Sequence, residues 1–393
     1  MNYTIIVGAS IDNLGAESMT CIAIKKAKRI EPDGQIVLAS SDRRGMQSLI
    51  KYRVCSYQFP TNLQCHEKAI IGKMLQLKLG DTEDYYYKEI LPDTKLIIDI
   101  SGYAFTTKFG LESVYSYLNR IYIASCYKIP YIVCSQSFGP VDINDIKNKI
   151  CCNYLMHKLL SYPQIIESRE KEGVDFLKRY TKKNVKLKPD MVLCYKPEIN
   201  YSVLRKKIYV DKKTQKTKHF KIAIIPNEKI LTKTKNGDAY INILGRFIEL
   251  FLKNEIEVKI IIHCKLDYTL GRIIADNYKD KVEMIDCTEQ GSSMFDTIIK
   301  EYSFIIASRY HAIVHAYRHY IPAIVLGWEN KYNELLVSIN QFEYLIDCRE
   351  DIEPMYAESI AMKMLNNYET EKNVIKNSLT RIRELYGECE KDY

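Results

Sequence analysis

The sequence predicts an α/β protein with two domains, each built from a parallel β-sheet with helices on both faces. Short β-branched runs alternate with longer amphipathic stretches along most of the chain, and this alternation is typical of parallel sheets. It lapses once, across the lysine-rich residues 196–219, and then resumes. A chain of 393 residues is long enough for two domains of ordinary size. We therefore expect two Rossmann-like domains that face each other across a cleft, where ligand sites usually form.

The first domain is predicted to contain five strands and four helices. The strands are expected at residues 3–7, 35–39, 96–100, 131–133 and 165–167, and the helices at 16–29, 111–126, 143–160 and 170–180. The helical segments have apolar residues at helical spacing, whereas the strands are short, continuous apolar runs. We assign residues 1–200 to this N-terminal domain.

The second domain repeats the pattern after a basic linker at residues 201–220. Strands are expected at 221–225, 257–262, 282–286, 303–307 and 323–326, and helices at 240–252, 269–278, 294–300 and 309–320. We assign residues 221–350 to the C-terminal domain. Residues 351–393 are expected to be C-terminal helices, because 353–390 shows two helical patterns and no obvious strand.

The net charge of +8 is concentrated in one segment. Residues 205–221 contain eight Lys or Arg and one Asp, and the rest of the chain has 49 basic and 48 acidic residues. A run of this kind is most often a solvated loop, and the alternative is attraction to an anionic membrane surface or an anionic glycan. It contains two aromatic residues, too few to stack bases well, so we do not expect nucleic acid as a partner.

The cellular location is predicted from the cysteines and from the apolar segments. The twelve cysteines show no Cys-x-x-Cys pair and no metal or disulfide spacing, which favours a reducing compartment. The chain begins as a strand without a basic signal-peptide region, and no apolar run is long enough to span a bilayer. We expect a cytoplasmic protein, with residues 205–221 as the segment for any peripheral contact at the inner face of the membrane.

A candidate site follows the predicted strand at 303–307. Arg309 and His311 lie where this strand gives way to a helix, and the carboxyl ends of strands are where open α/β sheets bind ligands. A guanidinium can hold a phosphate or carboxylate in a two-point grip, and an imidazole can move a proton near neutral pH. The sequence thus predicts a site that binds an anion and transfers a proton.

Loops after other predicted strands suit the same cleft. Asn13 can cap the next helix and Gly15 permits close backbone approach, although a plain turn explains both equally well. No glycine-rich nucleotide motif is present. Arg169 stands at the expected start of a helix, where the helix dipole disfavours a cation. An anionic ligand would stabilise it there, as would a salt bridge to a neighbouring carboxylate; Asp190 supplies a carboxylate at an expected strand end.

Three histidines, His311, His315 and His319, are spaced four residues apart on one predicted helix. Two histidines one turn apart can chelate zinc. The third lies another turn away, and no acidic residue joins them at helical spacing. We therefore expect no metal ion, with His311 facing the cleft and His315 and His319 packed or solvated.

Several of these segments, in this order, resemble the polysaccharide pyruvyl transferase family. The matching segments are Asn-Leu-Gly-Ala-Glu at 13–17, Gln-Ser-Phe-Gly-Pro at 136–140, Ser-Arg-Glu at 168–170, Pro-Asp at 189–190, Ser-Arg-Tyr-His-Ala at 308–312, and Pro-Ala-Ile-Val-Leu-Gly at 322–327 followed by Lys331. The similarity extends from about residue 5 to about residue 335. It depends on the collinear order, because no single motif is unique to the family.

This resemblance implies a fold similar to that of the GT-B glycosyltransferases. It also implies an enzymatic activity. The family transfers the enolpyruvyl group of phosphoenolpyruvate to a sugar, which forms a cyclic pyruvate ketal and releases phosphate. The expected acceptor is a sugar of a capsular or exopolysaccharide repeat unit, lipid-linked and bound on the N-terminal side, with the donor on the C-terminal side. The chemistry needs no redox cofactor, and none is expected.

The resemblance also implies roles for particular residues. Arg169, Arg309 and His311 would be the donor-site and catalytic residues, with the two arginines holding the carboxylate and phosphate of the donor. The expected substrate-binding residues are Asn13, Gly15, Ser101, Gly102, Gln136, Ser137, Ser308 and Lys331.

The chain departs from the family pattern at two points, and two other functions remain open. Many members have a run of glycines where this chain has Ser101 and Gly102 before Tyr103. Tyr310 replaces a common aliphatic residue, and we expect it to affect packing more than chemistry. The first alternative function is a GT-B glycosyltransferase with a nucleotide-sugar donor. The second is a non-catalytic scaffold of a glycan assembly line that docks through residues 205–221.

Overall fold

The computed structural model describes residues 1–41, 43–61, 69–80, 85–196, 198–205, 220–234, 237–279 and 281–387. Residues 3–187 build one parallel sheet and residues 221–347 build a second. The predicted fold class, two α/β domains of the Rossmann type, is confirmed. Most of the predicted basic linker, residues 206–219, lies outside the described residues, and with it most of the segment expected to contact a membrane.

The elements are labelled in chain order. The strands are β1 (Tyr3–Val7), β2 (Gln35–Ser40), β3 (Arg53–Ser56), β4 (Thr94–Asp99), β5 (Tyr131–Gln136), β6 (Ile165–Ser168), β7 (Val185–Leu187), β8 (Lys221–Ile225), β9 (Glu257–Ile262), β10 (Glu283–Asp286), β11 (Phe304–Ala307), β12 (Ala323–Gly327) and β13 (Leu345–Asp347). The helices are α1 (Leu14–Ile30), α2 (Arg43–Leu49), α3 (Ala69–Leu79), α4 (Tyr85–Ile90), α5 (Leu111–Cys126), α6 (Ile146–Leu159), α7 (Lys171–Leu177), α8 (Met191–Cys194), α9 (Lys229–Lys233), α10 (Gly237–Lys253), α11 (Tyr268–Asp276), α12 (Ser292–Ile298), α13 (Tyr310–Arg318), α14 (Asn330–Ser338) and α15 (Pro354–Tyr386).

Both sheets have the same strand order. The first runs β3-β2-β1-β4-β5-β6-β7 and the second runs β10-β9-β8-β11-β12-β13, and neighbouring strands pair in parallel throughout. The direction of winding reverses between β1 and β4 in the first sheet and between β8 and β11 in the second. Ligands of Rossmann-type sheets bind at the carboxyl ends of the strands beside this reversal.

The structure corrects two expectations about secondary structure. It contains β3, β7 and β13 beyond the ten predicted strands, and these are only four, three and three residues long. The prediction of two helices in the C-terminal tail was wrong, because α15 is one continuous helix of 33 residues. It packs on α10 of the second domain and on α8 of the first, so the chain returns to its N-terminal domain.

The hydrophobic core has three layers, because successive strand residues point to opposite faces of a sheet. Ile5 belongs to an outer core of the first domain, and Ile224 belongs to an outer core of the second. Ile6 and Ala223 face the other way, into a central core that α1 and α13 share between the domains. This central core packs the two domains into one unit.

A buried polar network also links the domains beside the central core. Ser18 of α1 lies 3.1 Å from Nε2 of His315, whose Nδ1 lies 2.6 Å from Oδ1 of Asp296. Nε2 of His319 lies 3.1 Å from the same oxygen, and the Tyr201 hydroxyl donates to Oδ2 over 2.6 Å. Although burial opposes it, His315 and His319 hold the pKa of Asp296 well below its usual range. His315 therefore joins the domains, and both histidines pair with an acid on α12 that helical spacing along α13 could not reveal.

None of the helices in the described ranges combines the length and apolar character that a membrane crossing requires.

Candidate active site

A cavity of about 440 Å³ opens between the two sheets. Its walls come from loops at the carboxyl ends of β1, β4, β5 and β6 in the first domain and of β8, β9, β11 and β12 in the second. The cavity therefore includes both places where the winding reverses, where sheets of this type bind ligands. It is called the central cavity below.

Asn13 and Gly15 begin α1 at the edge of the central cavity. Asn13 lines the cavity and caps the helix, since its Oδ1 accepts a hydrogen bond from the Gly15 N–H over 2.9 Å. Gly15 lies behind this wall, where a Cβ atom would be only 1.9 Å from Cγ of His311. Position 15 thus requires glycine because the imidazole packs directly against the backbone of α1.

The loops after β4 and β5 are fixed by a fully buried carboxylate, Asp99. Its Oδ1 accepts hydrogen bonds from Ser101 Oγ over 2.5 Å and from Gln136 Nε2 over 2.8 Å. Ser101, Gly102 and Ser137 line the central cavity, as expected. Gln136 is fully buried outside the lining, so its contacts support a structural role in holding the loop after β4.

The predicted donor-site residues Arg169 and His311 meet at Asp190. Arg169 follows β6 and its Nη2 lies 3.0 Å from Oδ2 of Asp190, which caps α8. His311, in the first turn of α13, places Nε2 at 3.7 Å from the same oxygen. The Arg169 guanidinium also lies 5.6 Å from the ring centre of Tyr310. Tyr310 therefore contacts a site cation, beyond the packing role that we expected for it.

His311 has an environment that disfavours its charged form. It lines the central cavity, and burial together with the cations Arg169, Lys331 and Arg309 and the nearby His315 lowers its pKa well below the usual range. Its Nε2 has no hydrogen-bond partner among the described residues. The sequence suggested a histidine titrating near neutrality, whereas the structure lowers the pKa of His311 despite Asp190 at 3.7 Å, and further negative charge in the cavity would raise it.

Arg309 is held in place by a carboxylate that the sequence did not reveal. It precedes the first residue of α13, and its Nε donates to Oδ2 of Asp267 over 2.6 Å while its Nη2 donates to Oδ1. The pair of hydrogen bonds that we expected Arg309 to make to a ligand is thus made to Asp267. Nη1 is the main donor of Arg309 that remains for a ligand in the cavity. Ser308 is fully buried outside the lining, where its carbonyl accepts hydrogen bonds from Asn227 and Tyr332.

Lys331 is a half-buried cation surrounded by aromatic rings. Its Nζ lies 2.5 Å from Oε2 of Glu329. The ring centres within 6 Å are those of Tyr103 at 5.2 Å, Trp328 at 5.4 Å, Tyr332 at 5.7 Å and Tyr310 at 5.8 Å. Burial lowers the pKa of Lys331 despite the attraction of Glu329. Aromatic faces stabilise a cation that has been removed from water, so this ammonium is kept available at the cavity wall.

The lining of the central cavity is strongly cationic. In the described part of the chain it includes six basic side chains, Lys108, Arg169, Lys229, Lys233, Arg309 and Lys331, and one carboxylate, Glu329. Two histidines, His263 and His311, also line it. This arrangement can bind a small, multiply charged anion and transfer a proton to or from it.

A protein-family comparison identifies the family of the chain. The model of the polysaccharide pyruvyl transferase family matches residues 13–330, from the cap of α1 to the first residue of α14. The chain belongs to the polysaccharide pyruvyl transferase family. It is therefore a transferase of polysaccharide biosynthesis. No curated protein matches the chain in sequence.

Solved structures show the fold that this pyruvyl transferase shares. A UDP complex of S. aureus MnaA aligns with a TM-score of 0.57 and 11% identity over 99% of this chain and 93% of its own. The spinosyn rhamnosyltransferase SpnG, complexed with thymidine diphosphate, aligns with a TM-score of 0.55 and 12% identity over 98% and 97%. The UDP-GlcNAc 2-epimerase of Methanocaldococcus jannaschii gives 0.52 and 12% over 97% and 100%. These likenesses support the predicted GT-B type of fold.

Several cavity residues of the pyruvyl transferase were not predicted from its sequence. Asn227 and Lys229 follow β8, and His263 follows β9, at strand ends without a recognisable motif. His263 is 1% exposed, and neither of its ring nitrogens has a hydrogen-bond partner within the described ranges. Burial and the nearby His315, His311 and Arg309 lower its pKa well below the usual range. The rule that β-strand carboxyl ends bind ligands could have identified these positions.

The residues in the described ranges form no group of three or more His, Cys, Asp or Glu that could hold a metal ion.

Proposed function

We propose that this pyruvyl transferase moves the enolpyruvyl group of phosphoenolpyruvate onto a sugar and forms a cyclic pyruvate ketal with release of phosphate. The observation that carries the proposal is the cation-rich central cavity between the two winding reversals, in a chain of this family. As acceptor we propose a sugar of a capsular or exopolysaccharide repeat unit, lipid-linked during its assembly.

The charge of the central cavity suits this donor. Six cations line it, and three carboxylates are paired with members of that set, namely Glu329, Asp190 and Asp267. The balance is about three positive charges, and phosphoenolpyruvate carries about three negative charges near neutral pH because its second phosphate pKa is near 6. Arg169 and Arg309 are buried, so their attraction to the donor is screened little by salt, whereas Lys108 and Lys233 are exposed and contribute less.

His311 is proposed as the acid that starts the reaction. The donor's negative charge offsets Arg169, Arg309 and Lys331, so the pKa of His311 rises when the donor binds and the ring takes up a proton. His311 then gives this proton to the methylene carbon of the donor, which leaves positive charge on the carbon that bears phosphate. Proton transfer of this kind contributes roughly 10²–10⁴-fold to a rate.

Two bonds to the sugar then replace the bond to phosphate. One sugar hydroxyl adds to the cationic carbon and loses its proton, which gives an intermediate that still carries phosphate. The carbon–oxygen bond to phosphate breaks, and the second hydroxyl adds to the same carbon and loses its proton. Over the whole reaction one hydroxyl proton ends on the new methyl group and the other on phosphate. The reaction as proposed is redox-neutral and draws on no redox cofactor.

A nucleotide-sugar donor is the alternative, and it is favoured by the likeness to structures solved in complex with UDP and with thymidine diphosphate. A cation-rich cavity would also suit a diphosphate. The leaving group separates the two functions. We expect inorganic phosphate from phosphoenolpyruvate in the presence of p-nitrophenyl hexosides, and a pyruvate ketal on the hexoside by mass spectrometry. Release of a nucleoside diphosphate from a nucleotide sugar, with phosphoenolpyruvate left intact, would contradict the proposal.

Two variants test the proposed roles in the same assay. His311→Ala should lower turnover by roughly 10²–10⁴-fold while the donor still binds. Arg309→Ala should mainly weaken donor binding, because it removes a cation that touches the donor. Turnover near the wild-type level in His311→Ala would contradict its role as the acid, and unchanged donor kinetics in Arg309→Ala would remove that residue from the site.

A further inference from the structure

A second cavity of about 290 Å³ adjoins the central cavity. The two share a wall made of Tyr103, Lys108, Ser137, Trp328, Glu329 and Lys331. Within this wall Lys108 Nζ donates to Glu329 Oε1 over 2.9 Å, and Glu329 in turn pairs with Lys331. A molecule in this second cavity, here called the side cavity, would lie against whatever the central cavity holds.

The side cavity has a different chemistry from the central one. It adds two carboxylates, Glu170 and Glu172, one cation, Arg349, and the amide of Asn330, which donates to Glu172 over 3.1 Å. With Lys108, Lys331 and Glu329 of the shared wall, the cations and carboxylates of its lining balance. Apolar surface comes from Phe138 and Pro140. Carboxylates and amides accept and donate hydrogen bonds to hydroxyl groups, while rings pack on the C–H faces of a sugar. The lining suits an uncharged, hydroxyl-rich molecule better than an anion.

Glu170 is the buried carboxylate of the side cavity. Glu170 is 7% exposed, and its Oε1 accepts a hydrogen bond from Ser137 Oγ over 2.8 Å. Its Oε2 has no hydrogen-bond donor among the residues that the structure describes. Burial raises the pKa of Glu170 to about 7; Arg169, Ser137 and Lys331 oppose this shift and Glu334 adds to it. One oxygen is thus anchored beside the shared wall and the other is left for a ligand.

We propose that the side cavity binds the acceptor sugar and that Glu170 is the base that removes the proton from the attacking hydroxyl. This inference rests on the proposed pyruvyl transfer. The hydroxyl oxygen forms its bond to the donor carbon as its proton passes to Oε2 of Glu170, and the carboxylic acid then returns the proton to solvent or to the departing phosphate. Nothing is oxidised or reduced.

The two cavities place the proposed acid, His311, and the proposed base, Glu170, in different environments. The reaction needs an acid toward the methylene carbon of the donor and a base toward the hydroxyl of the acceptor. His311 lines the central cavity among cations, and Glu170 lines the side cavity beside Ser137. A base works best when its pKa lies near the working pH, because it is then both available and strong enough. An ordinary glutamate would be a weaker base at neutral pH.

Glu170→Gln tests the proposal with phosphoenolpyruvate and p-nitrophenyl hexosides as substrates. We expect kcat to fall by roughly 10²–10⁴-fold while phosphoenolpyruvate still binds. Donor binding is followed by the fluorescence of Trp328, the single tryptophan of the chain, which lines both cavities. In the wild type, kcat should rise with pH through a pKa of about 7 as Glu170 loses its proton, and this rise should vanish in the variant.

Two further variants keep the test decisive if Glu170→Gln does not fold. Ser137→Ala removes the hydrogen bond that stabilises the carboxylate, so the rise in kcat should move to higher pH. Glu334→Gln is the matched control, because it removes a neighbouring negative charge outside the side cavity. Its maximal rate should stay within about twofold of the wild type, and its rise should move to lower pH.

The outcomes separate this inference from the function on which it rests. Wild-type kcat in Glu170→Gln, or no movement of the pH dependence in the other two variants, would overturn the role of Glu170 while pyruvyl transfer stands. If the wild-type protein releases no phosphate from phosphoenolpyruvate with any hexoside, the proposed function fails and this inference fails with it.

Discussion

Gly15→Ala tests whether the position of His311 determines activity. A Cβ atom at position 15 would lie 1.9 Å from Cγ, 2.2 Å from Cβ and 2.5 Å from Cδ2 of His311. Carbon atoms in contact are ordinarily about 3.5–4.0 Å apart, so the imidazole and α1 must separate by more than about 1 Å. The backbone at position 15 has little freedom to move, since its N–H is bonded to Asn13, which itself pairs with Cys264 of the second domain.

The expected loss follows from this displacement. Overpacking of a tight contact costs about 1–3 kcal/mol of folding free energy, which a protein of this size tolerates at room temperature. A catalytic group misplaced by about 1 Å costs on the order of 10²-fold in rate. We therefore expect a folded Gly15→Ala protein whose kcat for phosphate release from phosphoenolpyruvate is lower by about 10²-fold or more.

Gly245→Ala is the matched control for this experiment. Gly245 lies inside α10, away from the cavity, and an added Cβ would meet only the Tyr278 hydroxyl, at 3.1 Å. Alanine is favoured over glycine within a helix by about 0.5–1 kcal/mol, so this variant should keep wild-type turnover and lose little stability. Wild-type kcat in Gly15→Ala would refute the reasoning that the backbone of α1 fixes the catalytic imidazole.

Three further predictions follow from the site and the domain interface. Arg309→Lys loses the planar guanidinium that Asp267 holds in place, so donor affinity measured by tryptophan fluorescence should fall by about 10-fold or more. An unchanged Kd would contradict this. Donor binding near pH 7 should be accompanied by proton uptake, because the pKa of His311 lies well below its usual range beforehand; calorimetry in two buffers of different ionisation enthalpy measures it, and His311→Gln should lower it. Asp296→Asn should cost about 1–3 kcal/mol of unfolding free energy at pH 7. Since the pKa of Asp296 is depressed in the folded state, this difference should persist above about pH 4 and shrink below it, and urea unfolding at several pH values checks this.

The fold was predictable because buried parallel strands are conspicuous in a sequence. The strands β1 and β9 end in continuous apolar runs, at residues 5–7 and 260–262, and each is followed by an amphipathic helix, so they can be recognised without tertiary information. The edge strand β7 has three residues, of which two are exposed, and no periodic pattern marks so short a strand. The sequence predicted two helices in place of α15 because the apolar pattern of this helix changes where its packing partner changes from α10 to α8.

The site was predictable only in part, for a reason of geometry. Arg309 and His311 stand in a recognisable segment, but their partners Asp267 and Asp190 come from distant loops that only the fold brings together. Likewise, Gln136 has the right chemistry for a ligand contact, and whether it faces the cavity or Asp99 depends on the direction of one side chain. Spacing along the chain predicts which loops form the site, whereas the orientation of each side chain depends on tertiary contacts.

The most direct test of the central claim follows both halves of the donor at once. Phosphoenolpyruvate labelled with one isotope in its pyruvyl carbons and another in its phosphorus is incubated with the protein and a hexoside acceptor. We predict that the carbon label enters the glycoside and the phosphorus label enters inorganic phosphate in equal amounts, with both lost in His311→Ala. Phosphorus label on the glycoside, or carbon label that remains entirely in free pyruvate or unreacted donor, would contradict the account.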